Sequence, residues 1–303
     1  MPTNVAYPTF ITKAKGKKKQ HQEMNDIADA KMSRVAKSYR DGFDDVRDAT
    51  TITAITKALK TGEMSKVVES VKWDKFEPEK ADDLLALSLK QAAVASIAFV
   101  PVINNSDYTF DPRAPKTLKF LSNTTANRLE LVTNSGREAT RIMTFEAFDK
   151  GIPLPRASQM IRGSIGLNAK QARAVVNLRN TLAAEGLSQA KIDSKIVAYT
   201  KRALRSRSLT IAQTELTDVI SQGQLDMWDQ AVVDGVISMK TWEKVWVATR
   251  DSKTSRICLD LDGQAVPLNK QFIDPSGVLG PFDRPSAHPN CRSSLIIRRR
   301  KKK

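Results

Sequence analysis

Cysteine and histidine are almost missing from this chain, with two of each among 303 residues. Two cysteines cannot build a disulfide framework, so the fold must rest on an apolar core, which the 41% hydrophobic content can supply. His21 falls in a lysine-rich N-terminal stretch, which leaves His288 alone, too little for a histidine-based metal nuclease. No P-loop and no glycine-rich dinucleotide fingerprint occurs. Long hydrophobic runs are lacking too: Leu84 to Ile103 is broken by Lys90 and Gln91 and ended by Pro101, which predicts a buried helix and no membrane span. Met1 to Ile11 is a short apolar run ahead of the lysines, the reverse of a signal peptide, so secretion by that route is not expected.

Acidic residues are the other shortage, 33 against 49 Lys and Arg, giving a net charge of +16. The excess is uneven. Lys13, Lys15, Lys17, Lys18 and Lys19 crowd one end, and Arg298, Arg299, Arg300, Lys301, Lys302 and Lys303 the other. Between them, Gly151 to Thr210 has eleven basic and two acidic residues. The remainder is slightly acidic, a pattern that points to a polyanion met at particular surfaces; the competing reading is solubility with flexible tails. The candidate phosphate contacts are Lys17, Lys18, Lys19, Lys201, Arg202, Arg205, Arg207 and residues 298–303. Binding of double-stranded DNA through them would be non-specific and steeply salt dependent.

Patterning predicts a mainly α protein, helical in its N-terminal and central parts, with a small C-terminal cap containing a β-hairpin. Residues 1–25 read as a flexible basic arm and 26–150 as a helical domain. Ile27, Met32, Val35, Tyr39, Phe43 and Val46 recur at helical intervals, and Pro78 lies near the first turn of a long apolar helix. Asn104 to Pro115 reads as a loop. Leu118 to Leu131 and Arg137 to Phe148 read as two helices divided by Gly136 acting as a cap. Residues 151–297 form a further domain. Its basic helices span 156–233, with Asn168 as an N-cap and Gly186 as a stop, and its β-containing cap spans 240–297. Within the cap, alternation predicts strands at Lys240 to Arg250, at Ile257, Leu259 and Leu261, and at Leu295 to Ile297, with a tight turn at Asp262-Gly263. Residues 298–303 are a basic tail.

Several pieces now fall in order: GLNAKQARAVVNLRNTLAAEGLS, the basic helix ending RSLTIAQTE, then W-x-A-T-R-D, C-x-x-L-D-G and R-P-x-A-H-P-N-C-R. Together, over roughly Gly151 to Ile297, they resemble the phage Mu F-like minor head proteins, also called head morphogenesis proteins. The shared positions are Glu215, Asp251, Asp262, Gly263, Pro289, Asn290 and Arg292. The resemblance implies a minor capsid protein inside the head near the portal, present in host cytoplasm during assembly. Its implied partners are the portal protein, capsid or scaffold protein, and DNA. A DNA-binding or DNA-modifying effector delivered with the phage genome is the alternative. The chain departs from the family pattern where Ser255 and Ser293 replace two of four cysteines, and where Gln213 replaces an arginine.

Cys258, His288 and Cys291 then admit three readings. Three soft ligands suit zinc, with Asp251 or Asp260 as a fourth, although paired C-x-x-C knuckles are missing. A Cys258 to Cys291 disulfide is the second, and two small buried side chains without chemistry the third. No resident cofactor and no catalytic residue is expected, because a Cys-His nucleophile pair also needs an orienting group.

Overall fold

The computed structural model describes residues 16–100 and 108–300. It is mainly helical with a small C-terminal sheet. The helices are α1 (Lys17–Ala49), α2 (Ile52–Leu59), α3 (Met64–Ser70), α4 (Glu79–Ile97), α5 (Pro115–Asp149), α6 (Leu154–Gly163), α7 (Ala169–Ala184), α8 (Gln189–Val233) and the short α9 (Arg256–Leu261). The strands β1 (Trp242–Val247), β2 (Ala265–Pro267) and β3 (Ser294–Arg299) form an antiparallel sheet in the order β2-β1-β3. Among the described residues, no helix is long and apolar enough to cross a membrane.

The chain divides into two compact units that are not the contiguous 26–150 and 151–297 expected from sequence. One takes residues up to Met32, Asp83–Phe120 and Gln213–Lys303; the other takes Ser33–Asp82 and Leu121–Ala212. Helices α1, α5 and α8 each contribute part of their length to both.

The second unit is all helical. Its core joins Ile55 and Leu59 of α2, Met143 of α5, Ile161 of α6, Val175 of α7, and Ile192 and Ile196 of α8. Asn168 caps α7 and Gly186 stops that helix at φ +74°, both as the sequence predicts, and Gln171 completes a capping box with Asn168. Gly136 does not divide α5. A Cβ there would lie 2.1 Å from the Trp73 ring, so the glycine serves close packing within one unbroken helix. Arginines complete the backbone of this unit: Arg162 Nε donates to the Arg47 and Thr50 carbonyls at the end of α1, at 3.1 and 2.9 Å.

In the first unit, α4 and α8 approach so closely that a Cβ on Gly223 would meet the Leu89 carbonyl oxygen at 2.2 Å. The segment after residue 107 is pinned to the end of α8: Tyr108 donates to Asp234, and Gln230 exchanges hydrogen bonds with Thr109 and Asp111. Thr117 of α5 donates at 2.8 Å to Asp226 of α8, whose carboxyl is pushed up by burial. Both faces of β1 are covered. Trp246 stacks edge-on with Phe272 at 5.3 Å, while Val245 and Val247 pack with Ile296 of β3.

Three cap and arm expectations need correction. The basic arm does not reach residue 25, because α1 starts at Lys17 and buries Gln20 and Met24. The arm residues before 16 lie outside the described residues, as do residues 104–107 of the expected loop Asn104 to Pro115. The Ile257, Leu259, Leu261 alternation is not a strand: Ser255 caps α9, its hydroxyl accepting from the Cys258 amide, and Asp262-Gly263 turns out of that helix into β2. Asp262 has φ −63° and ψ 125° and Gly263 φ +83°, closed by Gln264 N–H to Leu261 C=O, a type II turn at a helix end. The tail is also shorter than expected. Arg298 and Arg299 belong to β3, Arg298 pairs with Glu243 at 2.7 Å, Arg299 lies over the Trp242 ring, and the Arg300 amide donates to Thr241 at 2.8 Å. Lys301, Lys302 and Lys303 lie outside the described residues.

Candidate functional site

The loop Arg284 to Ser293 is fastened at successive positions by side chains of α8 and β1. Asp218 pairs with Arg284 at 2.8 Å, Thr214 accepts from the Asn290 amide at 2.8 Å, and Thr217 donates to the Cys291 carbonyl at 2.6 Å. Thr249, just past β1, donates to the Arg292 carbonyl at 2.8 Å, and Gln224 to that of Leu295 at 2.9 Å. Asn290 takes φ +64°, a left-handed value that asparagine tolerates. The resulting turn, Cys291 N–H to His288 C=O at 3.3 Å, sets His288 and Cys291 side by side.

Cys258 of α9 meets them. Its Sγ lies 3.0 Å from His288 Nε2 and 3.6 Å from Cys291 Sγ, and the three ligand atoms lie within 4.8 Å of one another. Both cysteines are free thiols, buried at 2% and 0% exposure. The hydrogen bond between the two sulfurs and burial push the Cys258 thiol well above the ordinary range, while the same hydrogen bond pulls Cys291 down to about 6. A cysteine nucleophile needs access and a stabilised thiolate. Cys258 has neither, although His288 is within reach and oriented through its Nδ1, 2.8 Å from the Pro289 carbonyl.

The shared motif residues surround this cluster. Asp251 binds Arg292 at 2.7 Å, which holds its carboxyl well below the usual carboxylate range. Asp262 accepts from the Ala248 amide at 2.8 Å and from Arg250, which takes φ +59°. Glu215 is half-buried on α8 next to Thr214. Asp251 and Asp262 are thus taken up with fixing the backbone, and Asp260 pairs with Arg256 at 3.0 Å. Sequence reasoning missed Thr214, Thr217, Asp218 and Gln224, although their spacing along α8 marks a shared face. It also misplaced His21, which is held at 2.7 Å by Ser294 and 3.1 Å by Asn25, its pKa lowered by burial.

The basic candidates separate sharply. Arg207 is buried, donating to the Gly166 carbonyl at 2.5 Å and that of Val132 at 3.1 Å, and stacking over Phe43 at 5.1 Å. Burial lowers its pKa to about 10. It is a structural residue and not a phosphate contact. Lys201, Arg202 and Arg205 are exposed, as are Lys191 and Lys195. At 3.6 residues per turn these five fall within an arc of roughly 120°, with Arg207 on the opposite side, and they extend about 21 Å along α8. Helical phase alone could have excluded Arg207. None of the five has an ion-pair partner among the described residues. Lys17, Lys18 and Lys19 are exposed on the first turn of α1.

A helical chain with a loop clipped onto its longest helix and a three-stranded cap is what these observations define. Residues 176–296 match the family model described as Phage Mu protein F like protein, and over that stretch the chain is similar to the Mu F-like phage head morphogenesis proteins. The matched stretch runs from α7 into β3 and includes the clipped loop, Cys258, His288 and Cys291, and the exposed basic arc. No curated protein and no solved structure matches the chain.

Proposed function

We propose that this protein is a minor head component of a tailed phage or a related prophage-derived particle. It sits inside the head near the portal, docks on portal, capsid or scaffold protein, and holds packaged or entering DNA by its phosphates. The mode of action is binding without turnover. The observation that carries the DNA part is the exposed, unpaired arc of Lys191, Lys195, Lys201, Arg202 and Arg205 on α8, inside the stretch that matches the head-protein family. An arc about 21 Å long spans about six base pairs at 3.4 Å each, enough for one side of a duplex to meet several of the five cations. The buried thiols and the fully engaged aspartates of the cap support a binding role over a delivered enzyme. Mass spectrometry of purified heads is the test. Copies of this chain retained in washed, DNA-filled heads are expected; heads that assemble, fill and infect normally with the chain absent would overturn the reading.

A further inference from the structure

We propose that Cys258, His288 and Cys291 bind one zinc ion through two thiolates and one imidazole, with water in the fourth position. The site is separate from the basic arc and does not rest on the head-protein reading. The three donor atoms come from two elements that approach independently, α9 and the loop held down by α8. A tetrahedral zinc with roughly 2.3 Å bonds to sulfur and 2.1 Å bonds to nitrogen separates its ligands by roughly 3.8 Å for S to S and 3.6 Å for S to N. The observed Cys258 to Cys291 distance of 3.6 Å fits, and the Cys258 to His288 distance of 3.0 Å needs a small opening.

His288 gives a second, independent observation. Its Nδ1 lies 2.8 Å from the Pro289 carbonyl, which can only accept, so Nδ1 carries the proton and Nε2 presents its lone pair on the side of Cys258 Sγ, with Cys291 Sγ within 4.8 Å. That division of roles, one ring nitrogen fixed by a backbone carbonyl and the other aimed at the ligand position, is how metal-bound histidines are oriented. The Ser255 hydroxyl, now 2.6 Å from Nε2, is displaced by the ion and becomes the hydrogen-bond partner of the bound water.

The protonation balance closes simply. Any protons still on the two sulfurs pass to solvent as the metal binds, and the two thiolates neutralise the dication, so no net charge is left in a buried site. Soft thiolates with imidazole select zinc over magnesium or calcium, and zinc brings no redox chemistry. The ion would tie α9 to the Arg284 to Ser293 loop.

Full-length protein purified under reductant, stripped by a chelator and titrated with Co²⁺, gives the test. One equivalent is expected to raise the near-ultraviolet thiolate-to-cobalt band and the strong visible bands of tetrahedral cobalt, both removed by Zn²⁺. Cys258→Ala and Cys291→Ala should each abolish the thiolate band at one equivalent. Because these variants could fold poorly, X-ray absorption at the zinc edge of the wild-type protein is the second readout, with two sulfur and one imidazole neighbours expected. A reduced wild-type chain that gives no cobalt band, or one that forms a Cys258 to Cys291 disulfide while remaining metal free in the presence of zinc, overturns the proposal.

Discussion

The cap around β1 and the all-helical unit solve the same problem differently. In the helical unit, elements meet through apolar side chains packed closely enough to require a glycine, and arginines reach in to close carbonyl groups. In the cap, a loop rich in proline and polar residues is held by single side chains, each bonded to a named backbone atom. The first arrangement depends on shape over many residues, whereas the second depends on a few directed hydrogen bonds. Recognisable motifs therefore concentrate in the cap, where each residue type has one geometric duty, while exchangeable helix packing leaves little signature.

Shape should be the less forgiving of the two. Gly136→Ala places a methyl group 2.1 Å from the Trp73 ring, which is itself buried, and an expected loss of about 3 kcal/mol on chemical denaturation follows from overpacking. Gly163→Ala, with nothing within 4 Å of its Cβ, is the matched control and should shift stability by less than about 0.5 kcal/mol. Equal effects would remove the distinction.

Arg207→Met, which orphans the Gly166 and Val132 carbonyls, is expected to cost about 2 to 3 kcal/mol. Arg205→Met on the exposed arc should leave the melting temperature nearly unchanged.

Lys244 offers a titration inside the cap. It is buried, donates to the Asp283 carbonyl at 2.8 Å, and burial lowers its pKa from 10.5 to about 8. Between pH 8 and 10.5 the unfolded chain binds more protons at this position than the folded one, so stability from this group rises with pH. The cost of burying the charge is complete below pH 8 and gone above 10.5. Unfolding free energies of wild type and Lys244→Met, compared across that range, should show the wild type gaining on the variant as pH increases. A constant difference would contradict a buried ammonium.

Apart from the two controls, Thr217→Val should have the smallest stability effect, about 1 to 2 kcal/mol for the hydroxyl's hydrogen bonds to the Cys291 carbonyl and from Gln213, read as a lower denaturation midpoint.

How far the sequence carried depends on the same contrast. Asn168 and Gly186 were readable because caps have local rules, and Trp242 to Val247 because β-branched and aromatic residues alternate there. The Ile257, Leu259, Leu261 run misled because six residues are too few to separate a two-residue period from a helical turn; Ser255 as an N-cap was the missed cue. Gly136 misled because glycine also serves close packing, and only the position of Trp73 decides which use applies. The convergence of Cys258 with His288 and Cys291 was suggested by residue type, but the threonines of α8 that create it were not.

The most direct test concerns the division of labour between structural and binding cations. Affinity of the full chain for a random-sequence duplex, followed by fluorescence anisotropy across a salt series, should give log–log slopes near −0.9 per phosphate neutralised. Replacing Lys201, Arg202 and Arg205 by glutamine is expected to leave folding intact and flatten that slope by about 2 to 3. An unchanged slope in the triple variant would contradict the assignment of DNA binding to the exposed arc of α8.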